Sequence, residues 1–272
     1  GMLVKADDKW SKHILINDAI LTSQFNDNTR RVFKLIFEIP SFYFSYGNEK
    51  GDEGIGDDAR KILFEIESSI SKLFPFINIR KDYSNFKKGD LLESNIRELI
   101  NSTYVFMVMN KKFIYSPYCM EELYRIIERM NYDVEKFNKH TFLITSDASE
   151  EYIESRRRQC RFNELREYWI DDLKEKTNSY IKNGCRDGKS ANDIVNIIKI
   201  MEKSLPFIRE GISSIIRKSF IEIKNGGYFS LLEEVNTKLT DNGYPNFYPE
   251  GHEDKIINAL VGLKEYKSIV SI

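Results

Sequence analysis

Short apolar runs alternate with amphipathic stretches along the middle of the chain. Phe42-Tyr43-Phe44-Ser45-Tyr46, Pro75-Phe76-Ile77-Asn78-Ile79, Tyr104-Val105-Phe106-Met107-Val108-Met109 and Thr141-Phe142-Leu143-Ile144 have the length and aromatic or β-branched content of buried strands. Between them, Ile62, Leu63, Ile66, Ile70 and Leu73 form one helical stripe, and Ile96, Leu99 and Ile100 another. Leu123, Ile126, Ile127 and Met130 recur at i, i+3, i+4 and i+7. A strand–helix alternation of this kind predicts an α/β protein: a parallel sheet with helices on both faces.

After Asp147 the pattern turns helical. Leu165, Tyr168, Trp169, Ile170 and Leu173 read as a short strand or helix. Ile194 to Ile216 carries a long stripe that Pro206 is expected to kink or divide. Gly226-Gly227 is expected to break the chain before Phe229, Leu232, Val235 and Leu239. The expected layout is an N-terminal extension (2–38), a domain over 39–240 with its core at 40–147 and a C-terminal helical elaboration at 148–240, and a tail (241–272).

Composition narrows the chemistry. With 41 basic against 42 acidic residues, no overall field draws nucleic acid or an anionic membrane surface. Arg156-Arg157-Arg158 therefore reads as a solvated helix face. Cys119, Cys160 and Cys185 are widely spaced, and the three histidines (His13, His140, His252) are scattered, so no metal site is expected and a reducing compartment is. No apolar run reaches membrane-spanning length, and Lys5, Asp7, Asp8 and Lys9 interrupt any leader-like stretch. A cytoplasmic protein is expected. The glycines between Gly47 and Gly56 match neither GxGxxG nor GxxxxGK[ST], so this stretch predicts a flexible loop rather than a phosphate cradle.

One stretch concentrates the remaining chemistry: Ser116-Pro117-Tyr118-Cys119-Met120-Glu121-Glu122-Leu123. It follows the strand 104–109 and opens a helix, placing Glu122 beyond the carboxyl end of a buried strand, where open α/β sheets bind ligands. Glu122 is expected near the first turn, where the helix dipole favours a carboxylate; dipole compensation alone would also account for an acid there. Glu121, about 100° round the helix, is expected to point elsewhere.

Three segments together carry a family resemblance. Phe42-Tyr43-Phe44-Ser45-Tyr46 resembles the FISY strand of Toll/interleukin-1 receptor (TIR) domains. Arg80-Lys81-Asp82 followed by Gly89-Asp90 is similar to the end of the family's second strand and the loop after it. Ser116 to Leu123 resembles the S-x-W-C-x-x-E-L motif, with Tyr118 in place of tryptophan. The match is clearest over 40–147, and the helical region resembles elaborations common in bacterial members.

The resemblance implies a flavodoxin-like parallel sheet of about five strands. It also implies a bacterial immune or stress-signalling role, often against phage, in which NAD is substrate rather than cofactor and the nicotinamide–ribose bond is cleaved. On that reading Glu122 is catalytic. Tyr46, Ser45, Tyr118 and Asp82 bind substrate, and Glu122, Tyr46 and Tyr118 line one open cleft. Tyr83, Phe86, Lys87, Lys88 and Gly89 form a loop for self-association or for docking other TIR domains. The alternative it implies is a non-catalytic TIR–TIR adaptor. Cys119 is expected to pack inward rather than serve as a nucleophile.

Overall fold

A computed structural model of the chain describes residues 4–6, 9–11, 27, 31, 34–35, 38–47, 55–74, 77–81, 92–153, 159–215 and 217–246. The strands are β1 (Val4–Ala6), β2 (Lys9–Ser11), β3 (Ser41–Tyr46), β4 (Asn78–Lys81), β5 (Tyr104–Met109), β6 (Thr141–Thr145) and β7 (Lys218–Ser219). The principal helices are α1 (Ile55–Leu73), α2 (Leu92–Asn101), α3 (Lys111–Tyr115), α4 (Pro117–Arg129) and α5 (Val134–His140). They continue with α6 (Asp147–Ile153), α7 (Gln159–Lys182), α8 (Gly188–Lys199) and α9 (Tyr228–Asp241). The chain divides into two compact units, one of residues 41–68 and 79–228, the other of 1–40, 69–78 and 229–272.

The larger unit is built on a five-stranded sheet of order β4-β3-β5-β6-β7. β3 with β5, β5 with β6 and β6 with β7 are parallel. Counted within the sheet, the order is 2-1-3-4-5, the flavodoxin-like arrangement, whose switch point lies between β3 and β5. Every residue of β3, β5 and β6 is buried, which is why these strands read as nearly continuous apolar runs.

Alternation along the strands separates two chemistries. Phe44, Phe106 and Phe142 stack across three strands, with ring centroids 4.9 and 4.4 Å apart. The intervening residues Tyr43, Val105, Met107 and Leu143 belong to the core that holds Leu123, Ile126 and Ile127 of α4 together with Trp169 and Ile197. The polar side chains Tyr43 and Ser45 thus share the face that carries α4.

Several expectations need correction. β4 begins at Asn78, three residues beyond the predicted start at Pro75, and ends on Arg80-Lys81, the pair likened above to the end of a second strand. β7 was not foreseen: two residues, Lys218 and Ser219, carry no periodicity, and their pairing with Ile144 and Thr145 is a tertiary event. Asn110, directly after β5, caps α3. Of the two readings for Leu165 to Leu173 the helix holds, as part of the 24-residue α7. Pro206 does not divide the helical stretch, since Leu205 and Pro206 both keep right-handed helical dihedrals. With no N–H to donate, it sits between two π-turns, Ile200–Ser204 and Phe207–Gly211. Gly226-Gly227 does not break the chain; it ends a π-turn (Ile223–Gly227) that leads directly into α9.

In the smaller unit, β1 and β2 form an antiparallel hairpin. α9 closes in a Schellman motif: Tyr244 N–H donates to the Leu239 carbonyl at 3.0 Å and Gly243 N–H to Thr240 at 2.9 Å, with Gly243 at φ +80°. Arg31 donates to the Thr240 and Tyr244 carbonyls (3.1 and 2.9 Å), and Lys34 to Asn242 (2.6 Å). Two cations thus meet the negative end of the helix dipole.

The short strand β7 is clamped beside β6 by an ion pair. Arg217 Nε and Nη2 reach the two oxygens of Glu150 at 2.8 and 2.7 Å, and Thr145 Oγ1 also donates to that carboxylate. Burial works against the charge on Glu150, but the hydrogen bonds from Arg217 and Thr145 outweigh it and hold the group below its usual range. A depressed folded-state pKa stabilises the fold above the unfolded value, near 4.3, and the contribution is lost as pH falls through the folded value. Glu150→Gln is expected to cost about 2 kcal/mol in urea unfolding at pH 7. That difference should shrink below about pH 4.

Candidate active site

Glu122 is the sixth residue of α4, whose N-cap is Ser116 and whose N1 residue is Pro117. This corrects the expected position, since Glu122 sits in the second turn and no acidic residue occupies the first. Dipole stabilisation is worth about 0.3–1 kcal/mol and fades beyond the first turn, so it is not what holds this carboxylate.

Two hydroxyls do. Tyr43 Oη donates to Glu122 Oε1 at 2.9 Å, and Ser45 Oγ donates to Oε2. Because strand residues two apart face the same way, both donors rise from one side of β3 beneath α4. Hydrogen bonds to an ionised group contribute about 1.5–3 kcal/mol each. Removing a carboxylate from water costs several kcal/mol, and Glu122 is 0% exposed. The two terms are of similar size, so stability alone gives a carboxylate no advantage here over an apolar side chain.

The open cleft expected at Glu122, Tyr46 and Tyr118 is not formed, because Glu122 and Tyr46 are both buried. Ser45 is buried against Glu122. Tyr46, the last residue of β3, is 6% exposed, and its carbonyl accepts from Cys119 Sγ at 3.7 Å. Tyr118 is half-buried and packs against the core cluster. Cys119 is buried, as expected of an inward-facing residue at the helix start. Glu121 points away from Glu122's partners: its carboxylate meets Arg125 at 3.4 Å and accepts from Asn196 of α8 at 3.2 Å. Asp82, Tyr83, Phe86, Lys87, Lys88 and Gly89 lie outside the described residues.

Two residues at the switch point escaped the sequence reading. Asn110, fully buried just past β5, donates from Nδ2 to the Gly47 carbonyl at 2.9 Å and accepts from Phe113 N–H at 2.8 Å. It thereby ties the carboxyl ends of β3 and β5 to the first turn of α3. The backbone approaches so closely that a Cβ on Gly47 would stand 2.4 Å from both Asn110 Oδ1 and Phe113 N. Gly47 is therefore a packing glycine before it is a loop residue.

A separate cavity of about 350 Å³ lies at the β6–β7 edge, lined by Glu150, Ile215, Arg217, Ser219 and Glu222. Its guanidinium and one of its carboxylates are engaged with each other, as above. Among the described residues no group of His, Cys, Asp and Glu is arranged to hold a metal, and no helix is long and apolar enough to cross a membrane.

No protein-family model matches the chain, and no curated protein does. Among solved structures it is similar to the TIR domains of the activated Roq1 resistosome, which directly recognises the pathogen effector XopQ. The identity is 14%, the match covers 74% of this chain and 99% of that one, and the TM-score is 0.41. It is the strand order and parallel register that define the fold.

Proposed function

We propose that this chain is a TIR-type NAD glycohydrolase in which Glu122 serves the ribose of NAD. The observation that carries this reading is the buried carboxylate itself, held by Tyr43 and Ser45 beside the carboxyl end of β3 at the sheet's switch point. The motif resemblance from Ser116 to Leu123 supports it.

In the proposed reaction the bond between ribose C1′ and the pyridinium nitrogen breaks, and the nitrogen keeps the electron pair. Nicotinamide leaves as a neutral molecule, so no strong general acid is required. The positive charge that develops at C1′ and the ring oxygen is stabilised by the Glu122 carboxylate, which also accepts a hydrogen bond from a ribose hydroxyl. Water adds at C1′ and loses a proton, giving ADP-ribose; an internal nucleophile in place of water gives a cyclic product. Tyr46, Ser45, Tyr118 and Asp82 are the proposed substrate-binding residues. Because Glu122 is 0% exposed, the reading requires the site to open, and we assign that opening to assembly with further copies. The loop at Tyr83, Phe86, Lys87, Lys88 and Gly89 is the proposed contact.

The same complete burial favours a second reading, a non-catalytic interaction module whose glutamate braces α4 against β3. Nicotinamide release from NAD separates the two. Chain clustered on a scaffold is expected to release nicotinamide, and the dispersed chain much less. Clustered protein that shows no turnover above buffer, while still forming a defined assembly, would favour the adaptor.

A further inference from the structure

Glu122 has two hydroxyl donors on β3, and they are not equivalent. Ser45 is next to last in the strand, whereas Tyr43 lies two residues, about 6.6 Å, further from its carboxyl end. Ser45 Oγ turns on a single rotor. Tyr43 Oη is the tip of a ring that is 0% exposed and belongs to the buried core cluster that also holds Val105, its register partner on β5. Both side chains are buried, but Ser45 springs from beside the strand end where ligands bind in this fold, and Tyr43 from two residues behind it on a bulkier, packed ring.

We propose that Tyr43 is a positioning residue for the reaction. It anchors Glu122 Oε1 while Ser45 yields Oε2 to a ribose hydroxyl. This inference rests on the hydrolase reading above. A donor fixed by packing sets the carboxylate's orientation before substrate arrives, so its effect belongs to the chemical step rather than to substrate capture. Tyr43 need not touch NAD to act in this way.

Tyr43→Phe removes the donor and keeps the ring. In clustered protein the variant is expected to lower kcat about tenfold and leave KM within about twofold, as the loss of one hydrogen bond to a charged group that matters in the transition state should. A double-mutant cycle in urea supplies a readout independent of turnover. Tyr43→Phe is expected to lower the folding equilibrium constant about tenfold in the parent chain and less than about threefold in Glu122→Gln, where the acceptor is neutral.

Unchanged kcat beside an active parent, or equal stability losses in the two backgrounds, would overturn the assignment. A parent that releases no nicotinamide in any assembled form would instead sink the hydrolase reading. The cycle would then still decide whether Tyr43 holds the carboxylate.

Discussion

Replacing Glu122 by glutamine is expected to lower nicotinamide release by clustered protein about 10²- to 10³-fold, the usual loss when one preorganised electrostatic partner of the transition state is removed. Glutamine keeps the length and planarity of the side chain and still accepts from Tyr43 or Ser45, so the core around Met120 and Leu123 is expected to persist. Unfolding in urea should therefore shift by no more than about 1–2 kcal/mol, the difference between a neutral and a charge-assisted hydrogen bond. It is the split between the two readouts that carries information. A glutamate that only braces α4 against β3 would show the same stability shift and have no turnover to lose.

Gly47→Ala is expected to be the most damaging small substitution in the described part of the larger unit. The new methyl would overlap Asn110 Oδ1 and the Phe113 amide at 2.4 Å, and both belong to buried polar groups already bonded to each other. Relief means breaking the Asn110 latch or shifting the end of β3 away from β5. Overpacking of this kind costs about 1–3 kcal/mol, and a buried amide left unsatisfied adds about 1–3 more. A loss of about 3 kcal/mol or greater in denaturant unfolding is the expected result. Alanine tolerated within about 0.5 kcal/mol would mean that the close approach of Gly47 to Asn110 is not a feature of the folded protein in solution.

The sheet was legible because its central strands are buried on both faces. A run such as Tyr104 to Met109 has no polar position to confuse with a surface helix, and the stripes between runs kept a helical period. β7 was not legible. Lys218 and Ser219 are polar, and what holds them is Arg217 gripping Glu150, a contact 67 residues apart in sequence. The helical region misled in a different way, since glycines at 226 and 227 signal a break locally but are accommodated in a π-turn.

At the site, the turn angle between Glu121 and Glu122 was enough to separate their roles. The acid facing Arg125 and Asn196 is not the one facing β3. The support of Glu122 was harder to foresee. Alternation places Tyr43 and Ser45 on one face, but only the packing of α4 decides that this face receives a carboxylate. The FISY pattern gave no hint either, because its phenylalanine, two residues before the serine, carries no hydroxyl where this chain has Tyr43. The helix starts at Pro117 behind its Ser116 cap, so Glu122 is its sixth residue and lies beyond the turn where the dipole acts; the hydroxyls of Tyr43 and Ser45 meet it there instead.

The structure of the clustered chain bound to an NAD analogue with a carbocycle in place of the nicotinamide ribose bears most directly on the assignment of Glu122. The analogue is expected at the carboxyl ends of β3 and β5. One oxygen of Glu122 should lie about 3 Å from a ribose-equivalent hydroxyl, and the other should still be held by Tyr43. An analogue bound elsewhere, or bound there with Glu122 still fully covered by protein, would contradict it.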